Sequence, residues 1–409
     1  MLLIYSDENF YICRCKFYIE RKKRFCKTEA HQGKKFCIEH ATPEDNKENQ
    51  RIPCPYDPKH TCYVTKLKKH LKKCNARPQE LPEYIVPKLN FFDVEDEGPN
   101  ALEGYSITTV PDDVLLDLIK KIERIYENLP ICNTNIAEHE IMVKVLEEES
   151  GMNARKHLIQ NSSLLKNMEE SGLFGDEFTF VEFGAGRGLL SYWINHAISD
   201  KKNCSLVLID RASTRHKSDN KLKGVSDFEI LRIRSDIADI DLSKMELLQN
   251  SQNKIVGVSK HLCGIATDLA LRCIVNAKLK GLNIYGIVMA FCCHHRCSWK
   301  SFVGKDFIQA VGFDPNHFQA LCSVSSWATC GSGKPRKSKE TTSASQENKD
   351  RYGKLGLDQE VREGIGRKCK MILNYARLKY LERFGFDGKL VYYVEQGVSP
   401  ENVCLLAKC

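Results

Sequence analysis

The stretch Phe178-Thr-Phe-Val-Glu-Phe183-Gly184-Ala-Gly186-Arg-Gly188 decides the fold. It is the first of several short apolar runs that alternate with helical stretches, the signature of a wound α/β sheet. Three glycines follow at alternate positions, and Leu189–Ile198 then reads as a helix. Glycines at the carboxyl end of a first strand let a cofactor approach the backbone, and the next helix N-terminus adds a favourable dipole. About 25 residues on, Ser205-Leu-Val-Leu-Ile209 reads as a second strand ending at Asp210, where a carboxylate can accept from both hydroxyls of a ribose. The reading is a wound, mostly parallel α/β sheet of the Rossmann type.

A G-x-G-x-G turn alone does not choose between nucleotide cofactors. Glu182, two residues before the first glycine, stands where an acid is expected near the amino group of S-adenosylmethionine (SAM). The spacing Gly184, Gly186, Gly188 differs from the dinucleotide G-x-G-x-x-G. A third strand, Phe228–Ile233, ends near Asp236, an acid expected beside adenine. The fourth, Ile255–Ser259, leads into Lys260-His-Leu-Cys-Gly264, and the fifth, Tyr285–Phe291, into Cys292-Cys-His-His-Arg-Cys297. Strand ends line the active site in such sheets, so both clusters are expected at the transferred methyl group. No N-P-P-Y sequence of the base-amino methyltransferases stands at strand four. A lysine there suits an oxygen acceptor, because desolvation lowers its pKa until it can serve as a base. Lys260, His294 and His295 are the candidate bases. Cys292, Cys293, His294, His295 and Cys297 read either as a tightly packed turn that shapes the acceptor pocket or as a third metal site, and the sequence does not decide between them.

Ahead of this region the chemistry changes. The 409 residues imply roughly two to four folded units at ~100–200 residues each. The first 90 residues carry 19 Lys/Arg against 11 Asp/Glu, which accounts for the whole net charge of +8. A basic field so concentrated attracts polyanions, nucleic acid first among them. Seven of the 19 cysteines lie within the first 74 residues. Met1–Tyr5 is apolar but is followed by Ser6, Asp7 and Glu8, so no secretory signal is expected, and the longest apolar runs are far below the ~20 residues of a membrane span. Residence is expected inside the cell, cytoplasmic, nuclear or both, and metal binding rather than disulfides explains the cysteines.

Two four-ligand sets suit tetrahedral zinc. The first is Cys15, Cys26, Cys37 and His40, with Cys13 as competitor for Cys15, and encloses Arg21, Lys22, Lys23 and Arg24. The second is Cys54, His60, His70 and Cys74, its last pair on a helix expected over Val64–Cys74. There 67, 70, 71 and 74 form an inward ridge, and Lys66, Lys68, Lys69, Lys72 and Lys73 point outward. Two structural zinc ions and no catalytic metal are expected. Residues 10–42 and 51–77 are thus two fingers, and 78–110 reads as a linker. Residues 111–172 form a helical segment, with Pro111–Leu129 amphipathic, then Ile141–Glu149 and Ala154–Glu170. Residues 173–409 are the catalytic domain, with Gly331–Asp350 a low-complexity insert expected to be disordered.

These motifs resemble the eukaryotic tRNA 2′-O-ribose methyltransferase family that modifies nucleotide 4 of the acceptor stem. Phe17–His40 matches its CCCH finger and Cys54–Cys74 a CHHC finger of the minor-spliceosome type. Val181–Gly186, Ser259–Arg272, Cys292–Arg296, Ser325–Gly331 and Arg155–His157 match the catalytic region. Only linkers and the 331–350 insert lack a match. The N-terminus is short and the strand four to strand five segment compact, but neither departure touches a motif. The resemblance implies SAM and zinc as cofactors and the tRNA acceptor stem as partner, with no membrane and no obligate protein partner. It implies methyl transfer to a ribose 2′-hydroxyl, the basic residues Arg21–Arg24, Lys68, Lys69, Lys72 and Lys73 holding the RNA. An RNA base methyltransferase, or a finger protein with a degenerate catalytic fold, are the rival readings. Intact Glu182, Gly184, Gly186, Gly188 and Asp210 speak against degeneracy.

Overall fold

The computed structural model describes residues 14–30, 33–37, 39–40, 51–74, 76–77, 81–91, 107, 110–214, 218–222, 228–328 and 351–409. Cys13 and the 331–350 insert lie outside them. The chain divides into two compact units, Met1–Leu81 and Pro82–Cys409.

In the first unit, β1 (Tyr18–Ile19) and β2 (Arg24–Phe25) pair antiparallel around a 3-10 turn, Glu20–Lys22. β3 (Arg51–Cys54) and β4 (Asp57–Tyr63) form a second hairpin, followed by α1 (Leu67–Lys73). Helix α1 is shorter than its sequence pattern because Val64–Lys66 winds as a 3-10 turn. The cysteine ligands are buried and the histidine ligands half-buried in each finger, and in the first Ile19 and Phe36 pack against the cysteines. Such small units need a metal to fold.

The first helix of the second unit is α2 (Asp112–Glu127), which follows Pro111 and buries Leu115, Leu118, Ile119, Ile122 and Ile125 at helical spacing. After β5 (Asn133–Thr134) come α3 (Val143–Glu148) and α4 (Met152–Glu170). The sheet proper is built from β6 (Phe178–Phe183), β7 (Ser205–Ile209), β8 (Glu229–Ile233), β9 (Lys254–Cys263) and β10 (Ile284–Cys292). Helices α5 (Leu189–Ala197), α6 (Glu246–Gln249) and α7 (Ile265–Leu279) intervene. The chain closes with α8 (Lys305–Ala310), α9 (Pro315–Ser325), α10 (Gln359–Glu382), β11 (Asp387–Tyr392) and β12 (Val403–Lys408).

The strand order is β5-β11-β12-β10-β9-β6-β7-β8. Strands β10, β9, β6, β7 and β8 run parallel, and β12 is antiparallel to both its neighbours. Every residue of β6 and β7 is buried. Val181, Phe183, Val207 and Ile209 face the layer containing α7, whereas Phe178, Phe180, Leu206 and Leu208 face α4 and α5. Period-2 geometry therefore feeds both layers from one apolar run. The chain winds from β6 outward to β8, then returns to place β9 on the other side of β6. That reversal opens a crevice at the strand ends.

Residues 82–91 were expected within the 78–110 linker but are packed structure. Ile85 bridges Ile240, and the Val86 and Asn90 amides donate to the Asp239 and Ala238 carbonyls. The Asn90 side-chain amide donates to the carbonyls of Ile237 and Ile240 at 2.7 Å each. Those bonds satisfy polar groups that a free linker would leave to water.

Candidate functional site

The crevice between β6, β7 and β9 holds a cleft of about 540 Å³, lined by Gly184, Asp210, Asp236, Leu262, Cys263, Gly264 and Arg296 among others. This is within the ~300–1,000 Å³ usual for cofactor sites. Gly184, Gly186 and Gly188 all take left-handed conformations, with φ of +66°, +51° and +71°. A Cβ at Gly184 would lie 2.5 Å from Leu262 Cδ1, and one at Gly188 2.7 Å from Asp219 Oδ1. At Gly186 the nearest atom would be 4.0 Å away, so the backbone is open to a ligand there.

Asp210 ties the strand ends together. Its Oδ2 accepts the Gly186 amide and its Oδ1 the Ala212 amide, both at 2.6 Å. Asp236 lines the same cleft, caps the turn after β8 by accepting from Ala238, and lies 3.5 Å from Arg211. Glu182 lies beneath the glycine turn, 4% exposed, and does not line the cleft. Its Oε2 accepts from the Ser191 amide and hydroxyl at 3.1 and 2.5 Å, fastening the first turn of α5. Burial pushes its carboxyl up to about 7. Arg232, which the sequence did not single out, grips Asp219 through two bonds of 3.0 and 2.7 Å and donates to the Gly186 carbonyl.

At the tip of β9 the ladder skips from Lys260 to Leu262, leaving His261 as a bulge with φ +60°. Bulges re-aim side chains. Lys260 Nζ turns onto α4, donating to Asn161 Oδ1 at 2.7 Å and the His157 carbonyl at 3.1 Å. His261 Nε2 lies 2.8 Å from Gln160 Oε1. Burial lowers the Lys260 ammonium to about 7 and His261 to about 4.

His294 does not belong to this constellation. Cys293 is left-handed, with φ +50°, and the following 3-10 turn drives the imidazole inward. It is 2% exposed, its Nε2 2.6 Å from Asn374 Oδ1 on α10 and its Nδ1 3.8 Å from Glu401. Burial holds it well below 6.5, hence neutral, in a small separate cavity. His295 is exposed but lines no part of the cleft; the next residue, Arg296, does. None of the three candidate bases is among the residues lining the cleft; Lys260, half-buried at the tip of β9, stands two residues before the lining Leu262. Cys263, on the wall, lies 3.3 Å from Cys292 Sγ, and hydrogen bonds from the neighbouring thiols lower it to about 6. Beneath this turn Arg377 on α10 makes a two-point ion pair with Asp268 on α7, and both are fully buried.

Both metal sets expected in the fingers converge. Within each, the four ligating atoms lie within 4.8 Å of one another. Zinc bonds of ~2.0–2.3 Å imply tetrahedral edges of about 3.3–3.8 Å. His60 to His70 is 3.3 Å, Cys74 to His60 3.5 Å and Cys54 to Cys74 3.6 Å. In the CCCH set, His40 Nδ1 is 3.5 Å from Cys15 and 3.3 Å from Cys37, and Cys26 is 4.0 Å from Cys37. Asp57 stands 3.5 Å from His60 Nδ1, on the side away from the ligating nitrogen, the usual way of orienting a zinc histidine. The donor sets fit zinc. Lys22, Lys23, Arg24 and the α1 lysines 68, 69, 72 and 73 are exposed, while Leu67, His70, Leu71 and Cys74 face inward.

Comparison with known proteins agrees with this geometry. A family profile described as "Methyltransferase TRM13" matches residues 159–408. "CCCH zinc finger in TRM13 protein" matches 14–41, and "U11-48K-like CHHC zinc finger" matches 51–75. The Mus musculus and Homo sapiens proteins named "tRNA:m(4)X modification enzyme TRM13 homolog" are each 35% identical, covering 96% of this chain and 94% of their own. The Schizosaccharomyces pombe enzyme is 35% identical over 88% of this chain and 96% of its own. Among solved structures, the small RNA methyltransferase HEN1 aligns at TM-score 0.30 and 11% identity, covering 61% of this chain and 25% of its own, too distant to carry weight. With the methyltransferase match spanning more than half its length and both fingers in place, the chain belongs to the TRM13 methyltransferase family.

Proposed function

We propose that this chain transfers a methyl group from SAM to the ribose 2′-hydroxyl of nucleotide 4 in the tRNA acceptor stem. The observation that carries the reading is the cleft at the switch point, lined by Gly184 of the glycine turn and by Asp210 and Asp236, with Lys260 on β9 two residues before the lining Leu262. The relatives are named "tRNA:m(4)X modification enzyme", with which modification of nucleotide 4 is consistent. When bound, SAM supplies an activated methyl group. The glycine turn with Asp210 and Asp236 would hold it, Glu182 acting from beneath.

A neutral lysine amine has two N–H donors and one lone pair. Both donors of Lys260 are taken by Asn161 and His157, which leaves the lone pair to accept the proton of a ribose hydroxyl. Duplex RNA presents its 2′-hydroxyls in a shallow minor groove, so no base need be unpaired. The basic fingers hold the phosphates. A reducing compartment, cytosol or nucleus, fits the 17 described cysteines, all of them free thiols. No helix among the described residues is long and apolar enough to cross a membrane.

The test is to incubate the chain with tRNA and labelled SAM and map the label. Label at nucleotide 4 supports the proposal; label elsewhere, or none, contradicts it.

Asp210→Ala should weaken SAM binding by about 1–3 kcal/mol, through lost charge-assisted hydrogen bonds and a loosened Gly186 turn. Affinity for tRNA should barely change. Calorimetric titration giving the parent's SAM affinity would mean that the ribose contact lies elsewhere. Cys74→Ser should release one zinc and unwind α1, weakening tRNA binding roughly tenfold or more as its lysine row is lost. SAM affinity should persist, since the fingers contribute no strand to the eight-stranded sheet.

A further inference from the structure

Cys263, Cys292 and Cys293 bring three sulfurs together at the carboxyl ends of β9 and β10, and methyl transfer as derived above gives them no task. Their Sγ atoms all lie within 4.8 Å of one another, Cys263 and Cys292 at 3.3 Å. Cys292 is the register partner of Cys263 across the parallel pair, so the two side chains project to one side. The chain then passes through the left-handed conformation at Cys293, which swings the adjacent thiol back to the same point. That conformation is unusual for a residue with a Cβ. Gly264, with φ +56°, lets the turn close, since a Cβ there would meet the Arg296 Cβ and carbonyl at 2.7 Å. Backbone at three places is thus shaped around three thiols.

We propose that Cys263, Cys292 and Cys293 bind a third thiophilic divalent cation, zinc in the first instance, with its fourth coordination position open to the cofactor cleft. Tetrahedral zinc thiolates have S–S edges of about 3.8 Å; Cys263 and Cys292 at 3.3 Å need to part by only about half an ångström, and all three sulfurs already lie within 4.8 Å. Three protein ligands plus an open position is the pattern of reactive rather than structural zinc sites. Cys263 is exposed on the cleft wall and gives the ion its entry, while Cys292 is buried. The acid nearest this turn, Glu401, is already committed. Its Oε1 accepts from Lys370 at 2.9 Å, its Oε2 lies 3.8 Å from His294, and it takes the Cys293 amide. The fourth ligand therefore comes from solvent on the cleft side. Cys297 is excluded because Arg377 donates to its sulfur at 3.0 Å. Binding displaces the thiol protons, and Arg296 beside the cleft offsets the net negative charge of three thiolates on a divalent ion.

The test is metal analysis of the full chain, purified without chelator, beside Cys263→Ser and Cys293→Ser. The expected result is three zinc ions per parent chain and two in each variant, with cooperative thermal unfolding reporting that the variants are folded. Should a variant fail to fold, the parent alone decides through alkylation followed by peptide mapping. Cys263 should resist the reagent with metal present and react once a chelator removes the ion. Two ions in the parent with Cys263 freely alkylated, a Cys263–Cys292 disulfide on non-reducing mapping, or three ions retained in either variant would each overturn the proposal. None of these readouts involves methyl transfer, so their failure leaves the proposed function standing.

Discussion

Lys260→Ala is expected to lower the single-turnover rate by roughly 10²–10⁴-fold while SAM and tRNA still bind. The amine is lowered to about 7 by burial, so near neutral pH a large fraction is unprotonated and able to accept a proton. The neutral form grows as pH rises; the parent rate should therefore climb through about pH 7 and level off above it. That limb should vanish in the Ala variant. Lys260→Arg should not rescue, because guanidinium stays protonated. A purely structural lysine predicts the opposite: lost stability, reduced SAM binding and partial rescue by Arg, which could renew the bonds to Asn161 and His157. An Arg variant near the parent rate would remove Lys260 from the base role. His294 would not inherit it, since it is sealed against Asn374, which leaves the exposed His295.

The largest stability effect is expected at Arg377. Its guanidinium is 1% exposed and Asp268 fully buried, joined by bonds of 3.0 and 2.8 Å between α10 and α7. Phe291 and Phe302 each lie 5.3 Å from the guanidinium carbon. Arg377→Met leaves a buried carboxylate without its counter-charge, at a cost of about 3–5 kcal/mol. Pairing it with Asp268→Leu removes both charges and should recover much of that loss, because the desolvation penalty disappears with them. Denaturant unfolding of the full chain checks both. A single variant within about 1 kcal/mol of the parent would mean that the pair is hydrated in solution.

Much of the site was legible in the sequence, for identifiable reasons. Phe178–Phe183 and its three glycines are a local signal: an uninterrupted apolar run and a turn only glycine tolerates. The zinc ligands were legible because metal coordination demands particular residue types at particular spacings. What escaped depends on tertiary direction. That His294 points into the protein and Arg296 toward the cleft is set by a left-handed Cys293, which nothing in a Cys-Cys pair announces. Residues 82–91 read as linker because they pack through one bridge and a few carbonyls, contacts without periodicity. The bulge at His261 extended β9 past its expected end at Ser259 and turned Lys260 onto α4. Cys263, 29 residues before Cys292, joined a cluster that the sequence had grouped by adjacency alone.

The most direct test of the central claim asks whether the methyl group sits on ribose or base. A 2′-O-methyl group removes the hydroxyl that alkaline cleavage of RNA requires, whereas a base methyl leaves it. Transfer RNA treated with the chain and labelled SAM should, after complete alkaline hydrolysis, carry its label in an alkali-resistant dinucleotide spanning positions 4 and 5. Mass spectrometry of the nuclease digest should then place the added methyl on the sugar fragment. Label released as an ordinary mononucleotide with a heavier base would contradict the account.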